Sequence, residues 1–172
     1  MIRRALSLSS LLFVACQRVD EAPAAAVVTE SRGQVQRYVF GTTDGQELSA
    51  ENLRGRVTAL LFVTTFDLAS QAAAKRLNTV FDTHRPRINA GAVVLEAAKY
   101  APLADVFRSS LELSYPVAIA DLALLEQSST LGEVRSVPTL IVLDAAGREV
   151  QRVLGDFSVA ELEHWVKRAE HP

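Results

Sequence analysis

The stretch Leu60-Leu61-Phe62-Val63-Thr64-Thr65-Phe66-Asp67-Leu68-Ala69-Ser70-Gln71 decides the fold of this chain. Its first half belongs to an apolar and β-branched run that begins at Val57, a pattern typical of a central strand covered on both faces. From Leu68 to His84 the apolar residues recur with helical spacing, until Pro86 stops the helix. A buried strand is therefore predicted to turn directly into a helix, with Asp67 at the junction.

Strand and helix patterns alternate on both sides of this junction. In chain order they predict a hairpin of residues 38–40 and 46–48, a helical turn at 49–53, a strand at 92–97, a helix at 103–111 with Leu103, Val106, Phe107 and Ser110 at helical spacing, a strand at 116–119, a helix at 122–131, strands at 139–143 and 149–154, and a last helix capped by Ser158. Such alternation predicts a sheet with parallel neighbours and helices packed on it. The predicted fold class is α/β.

Composition fits one globular domain and excludes two kinds of site. The chain has 172 residues, of which 49% are hydrophobic and 22% charged. A formal net charge of −2 with no basic stripe argues against nucleic-acid binding. His84, His164 and His171 lack the spacing of metal ligands, so no metal site is predicted.

The N-terminus has the pattern of a secretory signal peptide. Arg3 and Arg4 precede an apolar segment from Ala5 to Ala15, and Cys16 follows. This segment is shorter than the about 20 apolar residues that span a bilayer. We therefore predict a signal peptide over residues 1–15, a flexible tether over 16–36 that is rich in Ala and polar residues, and one domain over 37–172.

Phe13-Val14-Ala15-Cys16 resembles the bacterial lipobox, although Phe13 stands where leucine is usual. The resemblance implies that Cys16 carries lipid and anchors the protein to a membrane, since two or more acyl chains hold a protein firmly on a bilayer. The predicted location is the cell envelope, facing the periplasm. Gln17, in place of aspartate, favours the outer membrane. The alternative is an ordinary signal peptide with an incidental cysteine.

Cys16 is the one cysteine of the sequence. If it carries lipid, the folded domain has no thiol. A disulfide, thiolate catalysis and a cysteine metal site are then excluded within one mature chain.

Three groups of residues carry a resemblance that covers about residues 40–169. They are Asp44-Gly45 through Leu53-Arg54-Gly55-Arg56-Val57, the strand-turn-helix from Phe62 to Ser70, and Val134-Arg135-Ser136-Val137-Pro138-Thr139 followed by Asp144 and Gly147. In this order and spacing they resemble the thioredoxin-like redoxins, especially the TlpA and peroxiredoxin-related (AhpC-TSA-like) envelope proteins. The resemblance implies a thioredoxin-like fold, with a central mixed β-sheet flanked by helices.

The chemistry of that family depends on Trp-Cys-x-x-Cys at the start of the first long helix. The helix N-terminus favours the first thiolate, and the second cysteine resolves the mixed disulfide. The resemblance places Phe66 at the tryptophan and Asp67 and Ser70 at the two cysteines. Neither replacement exchanges thiols, so we expect a degenerate site with no catalytic residue and no cofactor. The alternative is a thiol-disulfide oxidoreductase or peroxiredoxin-like enzyme of the redoxin family.

Each polar residue near the junction has a plain structural explanation. Asp67 suits a helix N-cap, with a ligand-binding carboxylate as the alternative. Ser70 would need an adjacent base to act as a nucleophile, and His84 lies about four turns away. Glu96 follows a predicted strand near the carboxyl edge of the sheet, either as a functional carboxylate or as a solvated strand end.

The resemblance also implies a cis peptide bond between Val137 and Pro138, facing the degenerate loop. In the family the backbone beside this proline pairs with an extended substrate segment through main-chain groups, which does not require thiols. We therefore expect a peptide or protein partner on a surface of Phe66, Asp67, Ser70, Val137 and Pro138. The alternatives are a proline that only shapes the strand entry and a structural domain without a ligand.

Overall fold

The computed structural model describes residues 27–28, 34–126 and 129–171. Its strands are β1 (Val27–Val28), β2 (Val39–Gly41), β3 (Glu47–Ser49), β4 (Val57–Val63), β5 (Ile88–Val94), β6 (Val117–Ile119), β7 (Thr139–Leu143) and β8 (Glu149–Leu154). Its helices are α1 (Leu68–His84), α2 (Ala101–Ser110), α3 (Leu122–Leu125) and α4 (Val159–Glu170), with a 3₁₀ turn at Ala98–Tyr100 before α2.

A mixed six-stranded sheet forms the centre, in the order β1-β8-β7-β4-β5-β6. β4, β5 and β6 are parallel neighbours, whereas β7 and β8 run antiparallel to their neighbours. β2 and β3 form a separate antiparallel pair. The prediction of an α/β fold with a mixed sheet between helices is confirmed.

Side chains of the central strands alternate between two apolar layers. On one face, Leu61 and Val63 of β4 pack with α1, α2 and α4. On the other, Leu60 and Phe62 pack with the β2–β3 hairpin and with the segment that contains Leu124 and Leu131. Both faces of β4 are therefore covered, which explains its unbroken apolar sequence.

The predicted strand at 92–97 is wrong in its bounds, because β5 begins at Ile88. Asn89 and Gly91 are residue types that strands usually avoid. Here Asn89 donates a hydrogen bond to the Leu53 carbonyl, 2.8 Å away, and Gly91 leaves room for Leu48 of the hairpin. Packing and a buried hydrogen bond therefore outweigh the low strand propensity of Asn89 and Gly91.

The helix predicted at 103–111 begins two residues earlier, at Ala101, and only part of its apolar set is buried. Ala104 and Phe107 are buried, whereas Leu103 and Val106 are 46% and 58% exposed. The helix predicted at 122–131 is also shorter than expected, since α3 ends at Leu125. No helix within the described residues is long and apolar enough to span a bilayer.

Residues assigned to the tether contribute to the sheet. Val27–Val28 pair with Val153 and Leu154 of β8, and the Gln36 amide donates to the Gly147 carbonyl at 2.9 Å. Residues before the predicted boundary at residue 37 therefore supply main-chain hydrogen bonds to the edge of β8 and to the turn before it. The predicted signal peptide and the predicted lipidation site, Cys16, lie outside the described residues.

Candidate functional site at the carboxyl end of strand β4

Neighbouring elements hold the turn between β4 and α1 from two sides. The backbone amide and the hydroxyl of Thr65 both donate to Oε1 of Glu96, each at 2.7 Å. Nε2 of Gln71 in α1 donates to the Thr65 carbonyl at 3.2 Å. Because Glu96 follows β5, its carboxylate fastens the turn to the adjacent strand. From the sequence, Glu96 is either a functional carboxylate or a solvated strand end, and its hydrogen bonds to Thr65 are not predicted.

Asp67 and Ser70 form one hydrogen-bonded unit. Asp67 is the N-cap of α1, and its Oδ2 accepts from the Ser70 amide at 2.8 Å and the Ser70 hydroxyl at 2.7 Å. Oγ of Ser70 in turn accepts from the Thr64 amide at 3.3 Å. The hydrogen bonds from the Ser70 hydroxyl and then the Ser70 amide hold the pKa of Asp67 below its usual value. The cap therefore remains a charged carboxylate at neutral pH.

Ser70 is fully buried. Its hydroxyl proton is directed at Asp67, and His84 lies about 21 Å further along the helix at 1.5 Å per residue. A nucleophile needs access to substrate and a base within hydrogen-bonding distance. The structure therefore places Ser70 beneath the surface, where its hydrogen bonds support the turn.

Phe66 lies on the surface of the same turn. Its side chain is 78% exposed, and that of Leu68, on the other side of Asp67, is 79% exposed. Two large apolar side chains in water beside a satisfied polar network leave apolar area uncovered, a common mark of an interaction site.

The loop before β7 reaches the same end of the sheet as this turn. Thr139 pairs with Phe62 in the antiparallel β4–β7 ladder. Because the two strands run in opposite directions, Val137 and Pro138, which precede Thr139, lie on the same side as Val63 and the turn, which come after Phe62. The Val137–Pro138 bond is cis. Pro138 is buried, and its carbonyl accepts from the Gly155 amide at 2.8 Å.

Val137 is half-buried and keeps its main chain available. Neither its N–H nor its carbonyl forms a hydrogen bond with any residue that the structure describes. Among the five predicted site residues, Phe66, Asp67 and Val137 are thus accessible to a ligand, whereas Ser70 and Pro138 lie beneath them.

An apolar groove of about 320 Å³ lies between this turn and α2. Its lining residues are Thr65, Phe66, Gln71, Leu103, Val106, Phe107, Ser110 and Leu111. Sequence reasoning does not predict this groove, because the helical spacing of Leu103, Val106 and Phe107 does not indicate which of them stay exposed. The sequence shows that adjacent Val106 and Phe107 point in directions about 100° apart on a helix of 3.6 residues per turn, but it does not show which of the two faces the core.

A larger cavity, of about 590 Å³, lies elsewhere beside β8. Glu149 and Arg152 line it as a buried pair, joined by two hydrogen bonds of 2.8 and 2.7 Å. Arg152 also donates to the Leu131 carbonyl. Because these two charged groups are paired with each other, we assign them a role in stabilising the strand and not in reacting with a ligand. No set of three or more His, Cys, Asp or Glu in the described part of the chain is arranged to hold a metal ion.

Solved structures of other proteins identify the fold. A secreted Mycobacterium tuberculosis disulfide oxidoreductase, homologous to E. coli DsbE, has a TM-score of 0.63 at 18% identity over 77% of this chain and 96% of its own. The fold is thioredoxin-like. A thiol:disulfide interchange protein from Chlorobium tepidum gives 0.66 at 22% identity, over 82% of this chain and 99% of its own. A DsbF homologue from Corynebacterium diphtheriae gives 0.72 at 13% identity, over 88% and 98%.

No protein-family model and no curated protein matches the sequence. At these identities the structural comparisons establish the thioredoxin-like fold alone.

Proposed function

We propose that this thioredoxin-like protein binds an extended segment of another protein on the surface of Phe66, Asp67 and Val137, without exchanging disulfides. Ser70 and Pro138 support that surface from below. The observation that carries the proposal is the contrast within the turn: Phe66 is 78% exposed, whereas Ser70 is fully buried and hydrogen-bonded to Asp67. The polar pair stabilises the turn, and the apolar side chain beside it is left for a partner.

The main chain of Val137 supports binding by strand addition. Its N–H and carbonyl are free among the described residues, and a free donor and acceptor can form hydrogen bonds to an extended peptide. Such binding recognises the main chain of the partner. It needs no cysteine on either side, so it is compatible with Asp67 and Ser70 at the positions where the redoxins carry their thiols.

Purification from detergent-solubilised envelopes tests this proposal. Phe66→Ser should lose a protein that copurifies with the wild-type chain, because it removes the exposed apolar side chain of the turn. Val39→Ser is the matched control, since Val39 is 56% exposed and lies on β2, on the opposite layer of the sheet. Identical sets of copurifying proteins for the wild type and Phe66→Ser would refute the site.

The alternative function is thiol-disulfide exchange, favoured by the fold of the disulfide oxidoreductases described above. Cys16 is the one cysteine that could supply a thiol. We expect the full-length chain to neither reduce insulin disulfides nor consume peroxide. Turnover in either assay without an added thiol protein would favour the enzyme.

We further propose that the protein is attached to the cell envelope through lipid on Cys16, facing the periplasm. The sequence Phe13-Val14-Ala15-Cys16 supports the anchor, and the secreted relative of known structure supports the envelope location. Replacing Cys16 with serine should abolish incorporation of labelled palmitate. Undiminished labelling of Cys16→Ser would show that the lipid is not attached there.

A further inference from the structure

The groove beside Phe66 is apolar along its floor. Leu103 and Val106 of α2 contribute exposed side chains, and the buried Phe107 closes the floor between them. Its volume of about 320 Å³ is enough for one large side chain such as leucine or phenylalanine. Water in this groove would lie against carbon on most sides, so an apolar occupant is favoured.

Two carboxylates lie close to the turn beside the groove, although neither lines it. Asp67 follows Phe66 directly, and Glu96 is bonded to Thr65, which lines the groove. Within the described residues neither carboxylate has a salt-bridge partner. Both accept hydrogen bonds from neutral groups, and Asp67 also lies at the positive N-terminal end of α1, so neither charge is paired with a cationic side chain.

Nearby cations are engaged elsewhere. Lys75 lies at the far end of the groove, where its ammonium donates to the Leu111 carbonyl at 2.9 Å. Lys99 lies over the ring of Tyr100, 4.9 Å from its centre. Arg108 pairs with Asp44 at 3.2 Å. The carboxylates therefore lie on the side of the groove at the turn, and the Lys75 ammonium, which keeps its charge because its acceptor is neutral, lies on the side at Leu111.

We infer that the groove takes a large apolar side chain of the bound segment while Asp67 and Glu96 attract a lysine or arginine adjacent to it. The partner is thus an extended segment with neighbouring apolar and basic residues. This inference rests on the proposed function and adds a preference for one chemical class of partner. Apolar burial supplies affinity, and the charges supply selectivity.

Synthetic nonapeptides of glycine and serine with a central Phe-Lys, Phe-Glu or Ser-Lys pair provide the probe. They are titrated into the ¹⁵N-labelled full-length chain, and the amide signals of Phe66, Val106 and Val137 are followed by NMR. The Phe-Lys peptide should bind at least fivefold more tightly than Phe-Glu at low salt, with the difference shrinking at 0.5 M NaCl because exposed charges are screened. It should bind about tenfold more tightly than Ser-Lys.

Matched variants locate the two contributions. Val106→Ser should weaken Phe-Lys binding about threefold or more, whereas Val39→Ser, at nearly the same exposure on the hairpin, should leave it unchanged. Glu96→Gln keeps an oxygen acceptor for Thr65 and should reduce the preference for Phe-Lys over Phe-Glu. Glu51→Gln, an exposed control beside the hairpin, should not change that preference.

The outcomes separate this inference from the proposed function. Equal affinities for all peptides, or unchanged binding to Val106→Ser, would overturn the inference; signal changes at Phe66 and Val137 would then still support binding at the proposed surface. Absence of any signal change with all three peptides would overturn the inference, while the copurification comparison tests the surface independently.

Discussion

Replacing Asp67 with alanine should remove two stabilising interactions at once. The N-cap of α1 disappears, which costs about 0.5–2 kcal/mol. The fully buried Ser70 hydroxyl also loses its acceptor, and an unsatisfied buried donor costs about 1–3 kcal/mol. Together the free energy of unfolding should fall by roughly 1.5–5 kcal/mol, measured by urea unfolding of the full-length chain at pH 7.

Two further variants separate these contributions. Ser158→Ala removes the N-cap of α4, where the capping partner Glu161 is exposed, so it should cost only the cap. Asp67→Asn keeps an oxygen acceptor for both the amide and the hydroxyl of Ser70, so it should be far milder than Asp67→Ala. An Asp67→Ala variant that is as stable as the wild type would refute the structural role of the Asp67–Ser70 unit.

Acid pH gives an independent check on the charge of Asp67. Because hydrogen bonds lower its pKa in the folded state, the stabilisation is complete well above the unfolded-state pKa of about 3.9. It is lost as the pH falls through the lower folded-state pKa. The difference in unfolding free energy between the wild type and Asp67→Asn should therefore shrink below about pH 4. A difference that grows with acidity would contradict this account.

The remaining predictions concern packing and backbone, each measured by equilibrium urea unfolding. Gly91→Ala should cost about 1–3 kcal/mol, because its Cβ would lie 2.7 Å from Cδ2 of the buried Leu48; an equal cost in a Leu48→Ala background would contradict this cause. Arg152→Met should cost about 3–5 kcal/mol by leaving Glu149 charged and unpaired, and adding Glu149→Leu should recover most of it; no recovery would refute the pairing. Glu112→Gly should stabilise by about 0.5–1 kcal/mol, since Glu112 lies two residues after the end of α2 at φ 52°, where glycine avoids strain; destabilisation would count against it.

Sequence periodicity was sufficient for the centre of the fold. The strand predicted from Val57 contains β4, and the helix predicted at Leu68–His84 has the bounds of α1. Both are buried on the faces that their patterns indicate, so local preference and tertiary packing agree there. The cap at Asp67 followed from residue type alone, because few side chains satisfy the first amides of a helix as well as aspartate.

The rest of the site depends on contacts between distant residues. The hydrogen bonds from Thr65 to Glu96 join residues that are 31 positions apart, and neither residue type predicts them. Leu103 and Val106 are residue types that are common in protein cores, yet the residues of α2 that are buried are Ala104 and Phe107. Which apolar residues remain exposed is decided by how α2 packs on β6, and the sequence pattern does not contain that orientation.

Site-specific photocrosslinking in intact cells tests the central claim most directly. A photoreactive phenylalanine analogue replaces Phe66 in one variant and Val39 in a matched control, both in the full-length chain. The account predicts a discrete crosslinked protein from position 66 that is absent from position 39. Crosslinks of equal yield from both positions, or none from position 66, would contradict binding at this surface.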